Sequence, residues 1–452
     1  MTQQNFFRRT RCGPHSAAFL VALGLTLLSA FLSTSQASAD DAQPGSAGTC
    51  VSEKGSVLQR TGAANEWKIV SQNEKLPSGD LLVGLPGAVI DSENGAVRVN
   101  LLADLDQNSP HPIKEAAVRL QSAAGIDLAL VLDRGRIDLA NRKTAGAATV
   151  RVTVRKASWD VVLAEPGAEV AFELFGRWAA GVPFRKDDAK HEPTAALVIL
   201  VLKGQVTLKH AGREFAMQAP PGPALIEWDS VGGLDDSPQR LEKLPAWAGK
   251  TGEETPEAKA KKATIERFRQ SLSNKSLDES LDEFLNSENR MDRAMAIYVM
   301  AALDKLAGIG TAFRETKHAD VLDAAIIALR HWMGRGPGQD QILYEGLIKI
   351  AKHKPVHAET IMQLLHGFGD ADLAHPETYQ TLIDSLNHNL LGIRALAYWH
   401  LYRLVPAGRE LGYSALDAKE ARETAIKKWR ELVPPGKVPP RRVAGKSEGG
   451  VR

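Results

Sequence analysis

Residues 77–87 read PSGDLLVGLPG, and this stretch decides how the N-terminal half of the chain folds. It holds Leu81, Leu82 and Val83 between turn-forming residues on both sides. Proline presets φ, glycine accepts positive φ, and serine or aspartate side chains bond the nearby backbone, so these residues favour turns. Three apolar residues between two turns leave no room for a helix, and the stretch therefore predicts a short strand.

The same pattern continues over residues 51–230. Residues 97–101, 150–154 and 205–208 alternate apolar with polar side chains, as half-buried strands do. Residues 196–202 are instead continuously apolar and rich in branched side chains, which predicts a strand buried on both faces. We therefore predict an all-β domain over residues 51–230.

Glycines punctuate these strands. Gly79, Gly135, Gly167 and Gly204 are expected at strand edges or tight turns, where positive φ lets one strand reverse into the next. Asp80 is interpreted as a turn residue whose carboxylate accepts hydrogen bonds from backbone N–H groups, rather than as a catalytic acid.

The composition changes after residue 230. Residues 231–262 are rich in charged residues, glycine and proline, which predicts a linker that leads into a helix, with a domain boundary near residue 250. Beyond it the apolar period becomes about 3.6 residues, as in amphipathic helices. Short helices are marginal alone in water, so we expect these to pack side by side over residues 263–433. The predicted apolar stripes are Ala296, Val299, Met300, Leu303 and Leu306; Leu322, Ala325, Ile326 and Leu329; Leu343, Leu347, Ile350 and Ala351; Ile361, Leu364, Leu365 and Phe368; Tyr379, Leu382, Ile383 and Leu386; Ile393, Leu396, Ala397, Leu401 and Leu404; and Ala418, Ala421, Ala425 and Trp429.

One segment of this helical half is repeated. Leu285 precedes Arg293 at the same offset as Leu386 precedes Arg394, and a weaker copy carries Asp323 at the arginine position. Such repeats predict helical hairpins that stack into a solenoid, with an irregular helical bundle as the alternative. The segment resembles HEAT-like repeats, whose second helix typically opens with an arginine.

The first 39 residues have the pattern of an export signal. Three arginines precede an apolar run over residues 17–32, and residues 37–39, Ala-Ser-Ala, form a small-x-small cleavage site. The run is shorter than the ~20 residues that comfortably cross a bilayer. We therefore predict cleavage near Ala39 and a protein of the periplasm or cell surface; retention of the segment as an anchor is the alternative.

Composition excludes some classes of partner. With 44% hydrophobic and 24% charged residues, the chain has the profile of folded domains. Removal of the three signal arginines changes the formal charge from +2 to −1. A near-neutral chain without a basic stripe argues against nucleic acid as a partner.

The cysteines and the tail complete the outline. Cys12 leaves with the signal, so Cys50 stays alone in a leader over residues 40–50. It is predicted to be a free thiol in a mobile segment, with an intermolecular disulfide as the alternative. Residues 434–452, rich in Pro, Gly, Lys and Arg, predict a disordered tail.

The order of the β segments carries a family resemblance. Residues 55–57 (Gly-Ser-Val) are followed by Trp67 and then by residues 76–82 (LPSGDLL), after which come residues 87–89 and 95–97. This order resembles the opening of a FecR-like domain, a module of the bacterial envelope.

Three later segments resemble the same family: residues 130–137 its Leu-x-x-Gly-Arg-Val strand, 165–172 its central hairpin, and 201–206 its Val-x-x-Gly-x-Val strand. The resemblance covers about residues 51–228 and implies a β domain that works in the envelope. Many FecR proteins signal to a sigma factor through a cytoplasmic segment before a membrane span. Only about sixteen residues precede the apolar run here, so that role is not expected.

Candidate chemical groups are few. His353 and His357 have the i, i+4 spacing of helical metal ligands, but Pro355 between them breaks the required helix, so we interpret them as exposed loop histidines. His191 and Glu192 lack the second histidine of a zinc protease motif and are interpreted as a solvated turn.

Two further patterns are weak. Asp104, Asp106, Asn108 and Glu115 fall at acidic positions of a calcium loop, but Ser109 replaces its turn glycine, so a polar loop between strands is favoured. Residues 249–251, Gly-Lys-Thr, lack the upstream glycine of a phosphate-binding loop. Four tryptophans are interpreted as core residues, with a stacking platform for sugars or peptides as the alternative. These are Trp67, Trp159, Trp178 and Trp228.

The sequence therefore predicts no catalytic, cofactor-binding or metal-binding residue and no cofactor. It favours an exported, non-enzymatic envelope protein that binds, scaffolds or senses through a FecR-like β domain and a HEAT-like helical domain. Envelope proteins or cell-wall components are the expected partners. The alternatives are a membrane-tethered FecR-type transducer and an envelope hydrolase, which would need a deep pocket with clustered ionisable residues between the two halves.

Overall fold

The computed structural model describes residues 45–62, 66–105, 109, 111–186, 191–248 and 255–440. The predicted export signal lies outside these residues, as does the end of the predicted tail from residue 441. Strands occupy the chain up to residue 241 and helices follow from residue 256, which confirms a β half followed by a helical half.

Eighteen strands build the N-terminal half within the described residues. They are β1 (Ser46–Cys50), β2 (Val57–Arg60), β3 (Trp67–Ile69), β4 (Lys75–Pro77), β5 (Leu81–Gly84), β6 (Ala88–Ser92), β7 (Val97–Leu102), β8 (Ala116–Gln121), β9 (Leu128–Asn141), β10 (Ala148–Val154), β11 (Ala157–Leu163), β12 (Glu169–Arg177), β13 (Thr194–Lys203), β14 (Gln205–His210), β15 (Arg213–Gln218), β16 (Gly222–Asp229), β17 (Gly233–Leu234) and β18 (Gln239–Leu241). The predicted strands at 81–83, 97–101, 150–154, 196–202 and 205–208 are confirmed as β5, β7, β10, β13 and β14.

The strands form one mixed sheet that divides into two ladders joined at β9. The first ladder has the order β4–β1–β6–β7–β9–β12–β13–β16–β18, and β17 also pairs with β16. The second has the order β3–β2–β5–β8–β9–β10–β11–β14–β15. All neighbours are antiparallel except β9 and β10. Buried side chains of both ladders share one core.

Gly135 is the residue at which β9 passes from one ladder to the other. Residues before it pair with β8 and β10, whereas residues from it onward pair with β7 and β12. Its φ is +83°, and a Cβ at this position would overlap the backbone of Glu115. The prediction of a strand edge or turn at Gly135 is therefore wrong, because the glycine bends the interior of a long strand. Gly79, Gly167 and Gly204 have positive φ between strands, as predicted.

The N-terminal leader was predicted too long. Its last residues form β1, which lies between β4 and β6, and Cys50 is fully buried in the core. Cys50 is a free thiol in the structure, but the expectation that it lies in a mobile segment is wrong. Small residues fill this strand, so its sequence, SAGTC, lacks the alternating bulky side chains that predict strands.

The segment predicted as a linker also contains regular structure. Strands β17 and β18 pair with β16, and helix α1 begins at Pro256 with Thr255 as its N-cap. The Thr255 hydroxyl accepts a hydrogen bond from the Ala258 N–H, as N-cap residues do. Residues 249–254 of this segment lie outside the described residues.

Eleven α-helices follow in the described residues. They are α1 (Pro256–Asn274), α2 (Leu277–Leu285), α3 (Arg290–Ala302), α4 (Leu306–Glu315), α5 (Ala319–Gly334), α6 (Gln339–Lys349), α7 (Pro355–His366), α8 (Asp370–Leu373), α9 (Pro376–Ser385), α10 (Leu391–Leu404) and α11 (Lys419–Leu432), with a 3₁₀ helix at Pro406–Leu411. Most predicted stripe residues are buried. Ile350 is an exception at 65% exposed, since α6 ends before it. Ala418 and Ala421 are exposed, and α11 buries Ile426 with Ala425 and Trp429 instead.

The two copies of the repeated segment make the same local contact. Arg293 Nη1 donates to the carbonyl of Ser287 at 2.7 Å, and Arg394 Nη1 donates to the carbonyl of His388 at 2.8 Å. In both copies the arginine reaches back six residues and holds the loop before its helix. The internal similarity in sequence is therefore matched by a similarity in structure at these two positions.

The β and helical halves share a core. Leu82 of β5 faces the core between the ladders, whereas Leu81 and Val83 pack with residues of helices α1 to α5, including Phe268 and Met300. The decisive stretch is therefore apolar throughout because both faces of β5 are covered. A third core lies among helices α5 to α11.

Candidate functional site

The backbones of β12 and α5 touch where the two halves meet. A Cβ on Gly176 would overlap the carbonyl oxygen of Gly334, and a Cβ on Gly334 would overlap the carbonyl oxygen of Gly176. Glycine within a strand often marks such a close approach of another backbone. These two glycines set how closely the helical half packs on the sheet.

A buried ion network surrounds this contact. The carboxylate of Glu115, which lies next to β8, accepts hydrogen bonds from Arg134 Nε at 2.9 Å and from Arg335 Nη2 at 2.5 Å. His331 Nε2 lies 3.6 Å from the same carboxylate. Burial raises the pKa of Glu115, but the positive charges of Arg335, His331 and Arg134 outweigh burial and hold that pKa well below its usual range. Burial lowers the pKa of Arg335 to about 10. Glu115 is therefore a structural anion between two buried guanidinium groups.

The same arginines hold the end of α3. Arg134 Nη2 donates to the Ala302 carbonyl at 2.7 Å, and Arg335 Nη1 donates to the Ala301 carbonyl at 2.9 Å. The last carbonyls of a helix lack partners within it and carry partial negative charge, so cations stabilise them. The network thus fixes α3 and α5 on the sheet, and two cavities lie beside it along the junction.

The first cavity, here called the apolar cavity, has a volume of about 390 Å³ and lies between the sheet and helices α1, α3 and α5. Its walls are mainly apolar, as in most small-molecule sites. The apolar side chains that line it include Leu85, Leu105, Ile113, Met291, Met295 and Tyr298. Lys261 at its wall pairs with Glu257 and donates to the Leu105 carbonyl at 2.9 Å.

The second cavity, here called the cationic cleft, has a volume of about 600 Å³ and lies between β12 and helices α5, α7 and α10. Lys114, Arg177 and Arg330 line it together with three histidines, His111, His331 and His366. None of the described residues that line it is an aspartate or a glutamate. The cleft therefore collects positive charge without an acidic side chain in its wall.

Arg330 is the most confined cation of the cleft. It donates through Nη1 to the Leu365 carbonyl and its guanidinium carbon lies 5.0 Å from the ring centroid of Trp399. Burial lowers the pKa of Arg330 to about 10, and Arg403 acts in the same direction. Within the described residues no carboxylate forms an ion pair with it, so its charge is balanced only by a carbonyl and a ring face.

Aromatic rings form the floor of the cleft. His111 stacks on Phe175 with 5.2 Å between ring centroids, and Trp178 contacts His366 at 4.7 Å. Burial, with a smaller effect of Arg177, lowers the pKa of His111 to about 4. The indole N–H of Trp178 is buried and has no hydrogen-bond partner within the described residues. The cleft thus offers aromatic rings beside its cations.

Lys114 connects the two cavities. It lines both of them, as does Ile327 of α5, and its Nζ lies 5.3 Å from the ring centroid of Tyr298. Burial lowers the pKa of the ammonium, and the positive charge of Lys261 acts in the same direction. Neither a hydrogen bond nor an ion pair to a described residue reaches Nζ.

Of the weak calcium pattern, the two described residues, Asp104 and Glu115, have partners of their own. Glu115 belongs to the ion network, while Asp104 accepts a hydrogen bond from the Ser109 N–H at 3.1 Å. Asp106 and Asn108 lie outside the described residues. Within the described parts of the chain, no group of three or more His, Cys, Asp or Glu side chains is arranged to hold a metal.

The other candidate residues lie apart from the cavities. Pro355 begins α7 instead of breaking it, so the interpretation of His357 as a loop residue is wrong: it lies in the first turn, and His353 precedes the helix. The two histidines therefore do not share one helical face. His191 lies in a loop before β13. Within the described residues, the Asp80 carboxylate accepts a hydrogen bond from the Gln59 side chain at 2.6 Å and none from a backbone N–H group.

The four tryptophans do not form a common platform. Trp159 is fully buried, which confirms the core interpretation for this residue, and the partly buried Trp228 packs edge-on against it with 5.6 Å between ring centroids. Trp67 donates to the Leu303 carbonyl at 2.9 Å and lies at the junction. Of these four tryptophans, Trp178 is the one that lines the cationic cleft.

The residues of the cleft were missed because no local pattern joins them. The available signal was Arg330, which lies four residues after Ile326 and so interrupts an apolar stripe. Comparison of the chain with known protein families, with curated proteins and with solved structures found no match. No helix among the described residues is long and apolar enough to cross a membrane.

Proposed function

We propose that this chain is an exported envelope protein that binds an anionic ligand in the cationic cleft. The proposal rests on Arg330, a half-buried guanidinium with a carbonyl and a ring as neighbours and no ion-pair partner among the described residues. A buried charge is costly unless it is paired. A carboxylate or phosphate group of a ligand would supply the missing partner.

The rest of the cleft supports the same proposal. Lys114 and Arg177 add positive charge, while Phe175, Trp178 and Trp399 offer ring faces to the body of a ligand. Carboxylate or phosphate groups on cell-wall components have the required charge. The resemblance of the β half to FecR-like domains and the export pattern of residues 1–39 favour the same compartment.

The helical half is proposed to be a HEAT-like array with a second contact surface. The matching contacts of Arg293 and Arg394 support it, since repeated hairpins place equivalent side chains at equivalent loops. In this view the array forms one wall of the cleft and leaves its opposite side for a protein partner.

Calorimetric titration with inorganic phosphate tests the binding proposal. We expect Arg330→Gln to weaken binding about tenfold or more, since hydrogen bonds to charged groups contribute about 1.5–3 kcal/mol. Arg177→Gln, at an exposed position, serves as a second variant that keeps the fold. Arg151→Gln is the matched control, because Arg151 pairs with Asp160 on β11 and lines neither cavity. Equal affinities of all four proteins, or no binding, would contradict the proposal.

A hydrolase is the second candidate, because clustered ionisable groups do lie in a deep cavity between the two halves. His331 lies 3.6 Å from Glu115, as a base lies near its orienting carboxylate. However, Thr194 is the single described lining residue with an aliphatic hydroxyl, and Glu115 is held by two arginines. These features favour binding. Hydrolysis of ester or glycosidic substrates that His331→Gln abolishes would favour the enzyme.

The tethered transducer differs from the exported protein at its N-terminus. Mass spectrometry of the mature chain distinguishes the two, because cleavage near Ala39 leaves a chain that begins at Asp40. An intact apolar run in the mature protein would support the tethered form.

A further inference from the structure

We infer that the ligand is a single-chain anionic amphiphile, with its anionic head in the cationic cleft and its alkyl chain in the apolar cavity. This inference rests on the proposed function, since it names the chemical class of the ligand at the same site. Its basis is the shared wall of the two cavities, which consists of Lys114 and Ile327.

The shared wall has the polarity that the junction of head and chain requires. The Lys114 side chain lines both cavities, and its ammonium lies 5.3 Å from the centroid of the Tyr298 ring, which lines the apolar cavity. A lysine with a long apolar stem and a charged tip suits a boundary between apolar and polar surroundings. Ile327 continues the apolar wall into the cleft.

The apolar cavity suits an alkyl chain better than a polar group. Met291 and Met295 line it, and unbranched thioether side chains adapt to irregular apolar partners. The charge of Lys261 at its wall is already paired with Glu257. Its volume of about 390 Å³ falls within the range of ligand pockets, about 300–1,000 Å³.

The distribution of charge between the two cavities also supports an amphiphilic ligand. The cationic cleft has Arg330 without an ion-pair partner among the described residues and no carboxylate in its described wall. The apolar cavity has mainly apolar walls, and the carboxylates that line it are Asp104, Glu115, Glu257 and Asp320. A ligand that satisfies both must carry its negative charge at one end. Because both cavities lie between the two halves, the ligand is a free monomer rather than a lipid within a bilayer.

Calorimetry with a homologous series tests this inference. The probes are inorganic phosphate and butyl, octyl and dodecyl phosphate, each below its critical micelle concentration. We expect affinity to rise about two- to fourfold for each methylene that enters the apolar cavity. Arg330→Gln should weaken every member by a similar factor.

Two variants of the apolar cavity test whether the alkyl chain of the ligand binds there. Ala294→Phe fills the apolar cavity from α3. If this variant does not fold, Met295→Glu replaces it in the experiment and places a carboxylate in the same cavity. We expect both to keep the affinity for inorganic phosphate within twofold and to lose at least tenfold for dodecyl phosphate. Retention of the chain-length gain in a folded variant would overturn the inference.

The outcomes separate the two proposals. Phosphate binding that does not depend on chain length overturns the inference and leaves the proposed function intact, whereas no binding by any member contradicts both. Vesicles of phosphatidylglycerol test whether the ligand is a lipid within a bilayer. Cosedimentation that Ala294→Phe abolishes would identify a bilayer lipid as the source and overturn the assignment to a free monomer.

Discussion

Arg335, at the end of α5, places its Nη2 atom 2.5 Å from the carboxylate of Glu115, 220 residues earlier in the chain. The carboxylate also accepts from Arg134, which lies immediately before the bend of β9. One buried anion therefore joins the sheet, the switch between its ladders and the helical half.

Removal of this anion should destabilise the whole protein. In Glu115→Gln, Arg134 keeps Asp133 and Arg335 keeps Asp304, but both guanidinium groups lose the buried anion that they share, and breaking a buried pair in this way costs about 3–5 kcal/mol. Urea denaturation measures the free energy of unfolding. Glu214→Gln, which removes an exposed partner of Lys209, should change it by less than about 1 kcal/mol. A loss below 1 kcal/mol for Glu115→Gln would show that water enters the network.

Stability should fall on mild acidification because of His400. Its Nε2 lies 2.7 Å from the Leu364 carbonyl, and burial lowers its pKa to about 4. The unfolded chain, with a histidine pKa of about 6.5, binds a proton before the folded chain does, so the stability present above pH 6.5 is lost as pH falls toward 4.

The loss from this one group reaches up to about 3 kcal/mol, at 1.36 kcal/mol per pKa unit. The check is the slope of the unfolding free energy between pH 6.5 and 4 in His400→Gln, which should be shallower than in the parent. His318→Gln, at an exposed position, should leave the slope unchanged. Equal slopes in all three proteins would contradict the assignment.

The backbone contact between β12 and α5 should not tolerate a methyl group. Gly176→Ala and Gly334→Ala each force the two backbones apart, and overpacking of this kind costs about 1–3 kcal/mol. Gly310→Ala in α4 is the matched control, since a Cβ there meets open space. It should be neutral or stabilise by up to about 1 kcal/mol, because alanine favours helices. Thermal unfolding of the three variants provides the measurement.

Cys50 should be unreactive in the folded protein. It is fully buried on β1, and burial raises the pKa of its thiol, which lowers the fraction of reactive thiolate. Ellman's reagent should therefore modify no thiol in the folded chain that begins at Asp40 and one per chain in urea. Rapid reaction without denaturant, or a disulfide-linked dimer, would contradict this placement.

Local patterns were sufficient for many of the elements, although not for β1, β17 or β18, and they did not indicate which elements pack together. Leu81 and Val83 could be assigned to a strand from the turns beside them, yet their burial against Phe268 depends on a helix nearly two hundred residues later. Gly135 resembles a turn glycine in sequence, and its role inside a strand follows from the carbonyl of Glu115 above it.

The cleft was beyond such patterns for the same reason. Lys114 lies in a loop between strands and Arg330 near the end of a helix, and neither has a sequence neighbour that indicates a binding role. The one local sign is that Arg330 occupies an otherwise apolar helical face, where a charged side chain is unfavourable. Predicting the cleft requires the packing of α5 on β12.

The shared core of β5 and the first helices has a consequence for biosynthesis. Synthesis and export both proceed from the N-terminus, so the strands emerge before residues 256–302, and Leu58, Leu81 and Val83 first meet water or a chaperone rather than Phe268 and Met300. The apolar face of the sheet is therefore exposed until the helices pack on it. If the β half were expressed alone, this apolar face would stay exposed to water and favour aggregation.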